Sequence, residues 1–487
     1  MTFSRIARAS LLLTAGLVLY AQDASPSLVL RTSVTYRTER NTLKLTDEQS
    51  READELGREA QQETRDGNYR EAMRSYYHGM AVMHGIAWTP AYEFGSSWQA
   101  RVDHAIAAPG DALTIGLSPL YILGKTTGLK MVESAALVPP QKGAPQKSVA
   151  SDVLLNPPFS SRVTIPPDAS GDYTLEVRLR VESDTGRAEV VKTVPMHIEA
   201  LAADATRLRE RLAKVKDKNN RAMPSAQYFL EIYDRADRGE ASPVRHHFRD
   251  GFAQANEILD AIDKGADPFA GKHGDFHKAY LSNVDHTLQP YRLLIPETYN
   301  GKPAPLVVAL HGMGGDENSM FDAYDHAFKP AVEKAGFIAV CPKGRDTASM
   351  YRGSAEQDVM DVLAEVRRDY NVDPSRIYLM GHSMGGYGTW SVAMDHPDVW
   401  AALGPISGGG DAAGMAKLAH IPEYVVHGDN DPTVPVAQSR TMVEAGKKAG
   451  AHIVYVEVPG GNHMTVVAPN FEPMMEFFAK QKKAASE

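Results

Sequence analysis

The chain has 487 residues, 43% hydrophobic and 23% charged, which is enough for several domains and typical of an ordinary soluble globular protein. Its formal net charge of −9 argues against nucleic acid or an anionic membrane surface as the main partner. The single cysteine, Cys341, excludes an intrachain disulfide framework and a cysteine-rich zinc site.

The first residues have the pattern of an export signal. Arg5 and Arg8 supply a positive end, Leu11 to Tyr20 form a short apolar core, and a cleavage point follows Ala21. We predict a signal peptide over residues 1–21 and a periplasmic or extracellular mature protein. An uncleaved membrane anchor is the alternative. No later segment is apolar and long enough to predict a membrane span after cleavage.

Residues 22–96 are predicted to be mainly helical. The alternation from Leu28 to Leu45 predicts a strand or two, and the Glu-, Arg- and Ala-rich stretch from Asp47 to Met83 predicts a helical hairpin. The break between its two helices is expected at Gly67-Asn68.

Two further regions precede the carboxyl-terminal one. Residues 97–200 contain short alternating runs separated by Pro, Gly and Ser, which predict a small β-sandwich resembling an immunoglobulin-like module in general terms. Residues 201–274 are highly charged and helical in pattern, and are predicted to be a helical connector.

Residues 275–487 are predicted to form an α/β domain. Apolar runs alternate with helical ones, and an earlier strand at Tyr291–Pro296 is expected to be antiparallel. The runs are mostly continuous, as in strands covered on both faces, so we predict a mostly parallel sheet with helices on each side. These runs are 306–310, 337–341, 377–380, 401–404, 424–426 and 453–456.

The sequence Gly381-His382-Ser383-Met384-Gly385 satisfies G-x-S-x-G and directly follows one of these strands. A serine at such a strand-to-helix turn has a strained backbone that flanking glycines accommodate, and it exposes its hydroxyl at a helix amino terminus. We therefore predict Ser383 as a catalytic nucleophile.

A serine hydroxyl needs a base and an orienting carboxylate, and both candidates follow in the order Ser, Asp, His. His463 comes after the strand at 453–458 and is predicted to be the general base and acid. Asp431 comes after the strand at 424–426 and is predicted to orient it, with Asp429 as the competing carboxylate. His427 is interpreted as a strand cap, and His382 as structural.

Acyl transfer also needs donors for the oxyanion. The strand at 306–310 runs into the glycine-rich turn His311–Asp316, so the backbone N–H groups of Met313 and Met384 are the predicted pair. A plain glycine turn is the alternative. We predict neither a metal nor a cofactor.

Residues from about 277 to 480 resemble the esterase and prolyl-oligopeptidase-like branch of the α/β-hydrolase superfamily, which includes feruloyl and acetyl esterases. The motifs that carry the resemblance are His311-Gly312, Asp373–Arg376, the elbow around Ser383, His427–Pro435 and Gly461–His463. The resemblance implies an α/β-hydrolase fold, and it identifies Asp373 and Arg376 as a structural brace. It is much less specific for the substrate.

The spacing of the last strands bears on the substrate. Residues 411–420 leave room for only one short helix where many lipases insert a large lid, so we expect an open cleft, partly shaped by residues 345–353. Tyr351 and Arg352 in that loop are candidate substrate contacts. An uncapped cleft suits an acyl group on a larger carrier.

The leading hypothesis is a secreted serine esterase whose partner is an ester substrate, in particular an acylated carbohydrate. A serine peptidase of the prolyl-oligopeptidase-like type is the runner-up, although no propeller repeat is present in the sequence. An inactive binding or scaffold protein is the third reading. The sequence does not indicate an oligomeric state.

Overall fold

The computed structural model of this chain describes residues 24–121, 128–184 and 186–483. The predicted signal peptide and the cleavage point after Ala21 lie outside these residues. None of the helices in the described ranges combines the length and the apolar composition that crossing a bilayer requires.

Four helices open the described chain. They are α1 (Pro26–Thr42), α2 (Asp47–Arg65), α3 (Tyr69–Met83) and α4 (Pro90–Ser96). The structure has α2 and α3 on either side of the break at Gly67-Asn68. α2 begins with a capping box, in which the Thr46 hydroxyl accepts from the Gln49 N–H and the Gln49 side chain accepts from the Thr46 N–H.

The strand predicted over residues 28–45 is wrong, because α1 occupies most of this stretch. Ser25 caps the helix, and Pro26 at its first position suits a helix start. Val29 and Tyr36 lie on one face, seven residues apart, and are buried against α2 and α3. Tertiary packing of this face therefore overrides the β-like alternation of the sequence.

Two small sheets follow. Their strands are β1 (Trp98–Val102), β2 (Ile106–Ala107), β3 (Ala112–Pro119), β4 (Lys130–Val138), β5 (Lys147–Leu155), β6 (Ser160–Thr164), β7 (Gly171–Ser183) and β8 (Gly186–Ile198). One sheet has the order β1-β3-β6 and the other β2-β8-β7-β4-β5. Side chains of both sheets, such as Leu113, Val177 and Leu179, share one hydrophobic cluster. The likeness to an immunoglobulin-like module stays a prediction.

Three helices connect these sheets to the large one: α5 (Ala202–Lys214), α6 (Met223–Asp237) and α7 (Phe248–Asp263). α6 packs on the edge of the large sheet, where the Ser225 hydroxyl accepts a hydrogen bond from the Ala279 N–H at 2.9 Å. The buried side chains of these helices belong to the same hydrophobic cluster as one face of that sheet.

The remaining residues form an eight-stranded sheet with helices between its strands. The strands are β9 (Gly274–Leu281), β10 (Leu288–Ile295), β11 (Ala304–Leu310), β12 (Ile338–Pro342), β13 (Val372–His382), β14 (Ala402–Ile406), β15 (Glu423–Gly428) and β16 (Ile453–Val458). The helices are α8 (Ser319–Asp322), α9 (Phe328–Ala335), α10 (Ser354–Asp369), α11 (Met384–Asp395), α12 (Ala437–Lys448) and α13 (Ala468–Phe478).

The strand order is β16-β15-β14-β13-β11-β12-β10-β9. The pairs from β16 through β12 are parallel, and β10 runs antiparallel to both β12 and β9. The predicted mostly parallel sheet and the antiparallel strand near residues 291–296 are confirmed. Every residue of β11 is buried, with alternate side chains in the clusters on the two faces of the sheet. This explains the continuous apolar runs of the sequence.

One polar pair lies inside this packed core. Glu423, at the start of β15, is fully buried, and its Oε2 accepts a hydrogen bond from the indole N–H of Trp390 on α11 at 2.8 Å. Its other oxygen has no partner among the described residues. Burial raises the pKa of Glu423 to about 7, although the hydrogen bond from Trp390 opposes the shift.

This raised pKa predicts a pH-dependent stability. The folded protein keeps the Glu423 proton up to about pH 7, whereas the unfolded chain releases it near the ordinary glutamate pKa of 4.5. The free energy of unfolding should therefore fall, by on the order of 3 kcal/mol, as the pH rises through this window. In Glu423→Gln this contribution should vanish, because glutamine does not ionise. Urea unfolding at several pH values measures the pH dependence of the free energy of unfolding, with Glu444→Gln, a change at an exposed residue, as control. A pH dependence in Glu423→Gln equal to that of wild type would contradict the prediction.

Candidate active site

The turn between β13 and α11 is the centre of the site. Ser383 lies there with φ 57° and ψ −116°, between the last residue of the strand, His382, and the first residue of the helix, Met384. A residue other than glycine rarely adopts this backbone conformation, so the turn stores strain. The turn presents the Ser383 hydroxyl at the carboxyl edge of the sheet.

Two glycines allow this turn because the backbone segments around it are in close contact. A Cβ atom on Gly385 would lie 2.1 Å from the carbonyl oxygen of Leu310, at the end of β11. A Cβ atom on Gly381 would lie 2.4 Å from the carbonyl oxygen of Gly385. Only glycine fits at either position, and this is the physical basis of the G-x-S-x-G pattern.

The structure brings the three predicted side chains together in a chain of hydrogen bonds. The Ser383 Oγ lies 2.9 Å from the Nε2 of His463, whose Nδ1 lies 2.7 Å from the Oδ2 of Asp431. Asp431 follows β15 and His463 follows β16, so neighbouring parallel strands deliver both residues to the edge where Ser383 lies. The Asp431 side chain is fully buried, whereas that of His463 is 12% exposed.

Asp431 is held as a carboxylate by several donors. Its Oδ1 accepts from the N–H groups of Thr433 and Val434, at 2.8 and 2.9 Å, and its Oδ2 faces the Nε2 of His427 at 3.3 Å in addition to His463. Burial alone would raise the pKa of Asp431, but the hydrogen bonds from His427 and His463 outweigh it and hold that pKa well below its ordinary value.

The competing carboxylate, Asp429, has a different role. It is exposed, and its Oδ1 accepts from the N–H of Gly460 at 2.6 Å, which closes the turn after β16. His427, interpreted from the sequence as a strand cap, is buried and contacts Asp431 directly. In the sequence, His427 comes four residues before Asp431, near the end of β15, and this spacing was the signal for the contact.

Sequence reasoning missed a second layer beneath His463. His382 is buried, and its Nε2–H donates to the backbone carbonyl of His463 at 2.9 Å, while its Nδ1 accepts from the Tyr324 hydroxyl at 2.9 Å. Burial lowers the pKa of His382 to about 3, so the ring is neutral and has the one donor and one acceptor that these partners require. His382 therefore fixes the backbone that carries the His463 ring.

The predicted oxyanion donors lie on either side of the serine. Met384 is the first residue of α11, and Met313 lies in the glycine turn after β11. Neither backbone N–H has an acceptor among the described residues. A Cβ on Gly312 would lie 3.5 Å from the Ser383 Cβ, so the glycine turn packs directly against the elbow.

One predicted substrate contact is not supported. Tyr351 is completely buried: its ring lies against Gly344 and Gly388, and its hydroxyl donates to the carbonyl of His311 at 3.3 Å. Its hydrogen bond to His311 supports the glycine turn from the buried side, and it has no surface available to a substrate. Arg352 is exposed in the same loop, and its contact with substrate stays a prediction.

The predicted short helix between β14 and β15 is present as a 3₁₀ helix, Ala412–Leu418. However, the cleft is not as open as the sequence predicts, because α1 contacts two loops at the same sheet edge. Its Ser27 hydroxyl donates to Asp346, and its Arg31 to the Thr347 hydroxyl, both at 2.8 Å. Near its other end, the Asn41 side chain donates to the carbonyl of Pro432 at 2.8 Å.

These contacts span the site. Residues 346–347 follow β12 and residue 432 follows β15, and four strand spacings, about 19 Å, separate these two strands in the sheet. The stretch of α1 from Ser27 to Asn41 covers about 21 Å at 1.5 Å per residue. The helix therefore bridges the two loops and passes the end of β13, where Ser383 lies. One wall of the cleft comes from the opposite end of the chain.

Comparison with known proteins finds matches to the part of the chain that carries the turn at Ser383. The profile of the Prolyl oligopeptidase family matches residues 346–424, which include Ser383. A bifunctional acetylxylan esterase/xylanase of Neocallimastix patriciarum is 29% identical over 138 residues, which are 28% of this chain and 20% of that protein. A probable feruloyl esterase C of Aspergillus flavus is 27% identical over 186 residues, which are 36% of this chain and 68% of that protein.

Among solved structures, the crystal structure of a thermostable esterase aligns with 78% of this chain and 99% of its own, at 18% identity and a TM-score of 0.39. The sequence matches cover only about a fifth of the length of the acetylxylan esterase/xylanase and about two thirds of the length of the feruloyl esterase.

The His382 layer yields a prediction about the reactivity of Ser383. His382→Phe keeps a ring in place but loses both hydrogen bonds, so the His463 backbone becomes free to shift. We expect the labelling of Ser383 by a fluorophosphonate probe to slow by about tenfold, since small misplacements of a base are costly. Tyr324→Phe removes only the outer bond and should have a smaller effect. Equal labelling rates in wild type and His382→Phe would show that the layer does not position the base.

Proposed function

We propose that the carboxyl-terminal part of this chain is an α/β-hydrolase of the esterase and prolyl-oligopeptidase-like branch and that it hydrolyses carboxylic esters. The observation that carries the proposal is the hydrogen-bond chain from the Ser383 Oγ through His463 to Asp431. In this proposal the three residues form a catalytic triad, and the reaction passes through an acyl-enzyme on Ser383.

In the first half-reaction, the His463 Nε2 takes the proton of the Ser383 hydroxyl as its oxygen attacks the ester carbonyl carbon. Asp431 stays ionised, because its donors hold its pKa low, and it stabilises the imidazolium through Nδ1–H. The N–H groups of Met313 and Met384 donate to the oxyanion. The tetrahedral intermediate collapses when His463 gives its proton to the leaving alcohol.

In the second half-reaction, water replaces the alcohol. His463 removes a proton from the water as it attacks the acyl carbon, and Ser383 then leaves with a proton from His463. The strained turn at Ser383 supports this chemistry because it keeps the oxygen in place for both attacks. None of the steps requires a metal ion or a cofactor.

We propose that the acyl group is carried by a carbohydrate. Two matching relatives are named as an acetylxylan esterase/xylanase and a feruloyl esterase, which supports acetate or a hydroxycinnamate as the acyl part. With the predicted signal peptide over residues 1–21, the enzyme would act outside the cytoplasm.

The test is the release of acetate or ferulate from acylated xylan. Wild type should release acid, whereas Ser383→Ala should lose at least about 10⁴-fold in rate, because the nucleophile is gone. His463→Ala should be similarly impaired, and Asp431→Asn strongly so. Release should be followed by chromatography of the free acid. Turnover confined to small free esters would overturn the carbohydrate part of the proposal, and full activity of Ser383→Ala would overturn the mechanism.

A peptidase is the second candidate, because the profile that matches the elbow region is that of the Prolyl oligopeptidase family. An ester and a proline-containing peptide amide, each with a chromogenic leaving group, distinguish the two. We expect p-nitrophenyl acetate to be hydrolysed with a kcat/KM at least about 10³-fold above that of Gly-Pro-p-nitroanilide, both signals being absent in Ser383→Ala. Comparable kcat/KM values would favour the peptidase.

A further inference from the structure

A cavity of about 900 Å³ lies beside the proposed active site, where α1, β1, β8, α6 and the loops after β11 and β12 meet. Gly314 and Gly315 line it, and Gly314 directly follows Met313 in the glycine turn. The cavity therefore borders the turn that carries a proposed oxyanion donor. Its volume is within the range of ligand sites, roughly 300–1,000 Å³.

The walls of this cavity are more basic than the rest of the molecule. Seven Arg and Lys side chains line it, against five Asp and Glu side chains, although the whole chain has a net charge of −9. Part of this charge is neutralised locally: Arg238 pairs with Glu240 at 2.9 Å, and Arg345 pairs with Asp358 at 2.8 Å. The excess positive charge therefore resides on the remaining basic groups.

Three of these cations have no carboxylate partner among the described residues. Arg31 donates to the Thr347 hydroxyl, and Arg101 to the side chains of Gln99 and Ser118, both at 3.2 Å. The Nζ of Lys343 has no hydrogen-bond partner within the described ranges. All three side chains are half-buried.

Partial burial of an unpaired cation is unfavourable, and here it lowers the pKa of both Arg101 and Lys343. A bound anion would remove this cost. The neutral hydrogen-bonding groups in the same cavity, among them Ser27 and Gln99, suit a hydroxyl-rich ligand.

We propose that this cavity binds an acidic sugar, a uronic-acid residue of the same polysaccharide whose acyl ester reaches Ser383. Arg101 and Lys343 would hold its carboxylate, and α1 would form the wall between this subsite and the cleft. The inference rests on the proposed function for its link to catalysis, but the binding step itself can be measured without turnover.

The first experiment measures binding alone. Ser383→Ala protein is titrated by calorimetry with an unacylated xylo-oligosaccharide that bears a glucuronic-acid substituent, and with the same oligosaccharide without it. The acidic ligand should bind at least tenfold more tightly, and Arg101→Gln or Lys343→Gln should weaken its binding about tenfold each. Arg101→Lys should retain most of the affinity. Arg58→Gln, an exposed change on α2, is the matched control and should have no effect.

The second experiment uses the active enzyme on acetylated xylo-oligosaccharides with and without the acidic substituent. The acidic substrate should have the lower KM, and Arg101→Gln and Lys343→Gln should each raise that KM toward the KM of the neutral substrate. Equal binding of both ligands to the Ser383→Ala protein, or binding that both Gln variants leave intact although circular dichroism shows them folded, overturns the proposal. Tight acidic binding without ester release would leave the subsite standing and overturn the proposed function instead.

Discussion

The close contact of three backbone segments at the carboxyl edge of the sheet is the constraint from which the site follows. Leu310 at the end of β11 contacts Gly385 in the first turn of α11. Gly385 also contacts Gly381 near the end of β13. Between them the chain has no extended or helical path, so Ser383 adopts φ 57°. The strain is retained because the buried strands on both sides cannot separate without exposing the core. The strained conformation of this serine is thus maintained by packing.

The amino-terminal helix serves two surfaces at once. Val29 and Tyr36 of α1 are buried against α2 and α3, whereas Arg31 and Asn41 contact the loops of the large sheet. At about 100° per residue, Arg31 lies about 200° around the helix from Val29, and Asn41 about 140° from Tyr36, so the two sets face largely opposite directions. This explains why α1 has no single apolar stripe. It also means that the helical region is in direct contact with the sheet edge that carries the proposed active site.

The elements of the large sheet could be predicted because its parallel strands contain continuous apolar runs, which are typical of strands covered on both faces. The positions of Ser383, Asp431 and His463 followed from a general property of parallel sheets, since residues after successive strands meet at one edge. Local sequence was sufficient for both.

Long-range contacts were not predictable in the same way. The alternation along α1 predicts a strand, whereas the packing of α1 on α2 and α3 makes this stretch helical. From the sequence, Tyr351 is predicted to lie in an exposed loop. In the structure, the absence of side chains at Gly344 and Gly388 leaves a space that its ring fills. The hydrogen bond between His382 and the His463 carbonyl joins residues 81 positions apart, and the sequence contains no local signal for it.

The two ends of the described chain lie at opposite ends of the strands of the large sheet. Ser27, near the first described residue, contacts the loop after β12 at the cleft, whereas the N–H of Lys483 donates to Ser375, at the beginning of β13 and therefore at the far edge. An affinity tag or carrier module attached behind Lys483 would leave the cleft unobstructed. One attached just before Pro26 would lie at the entrance of the cleft and obstruct it.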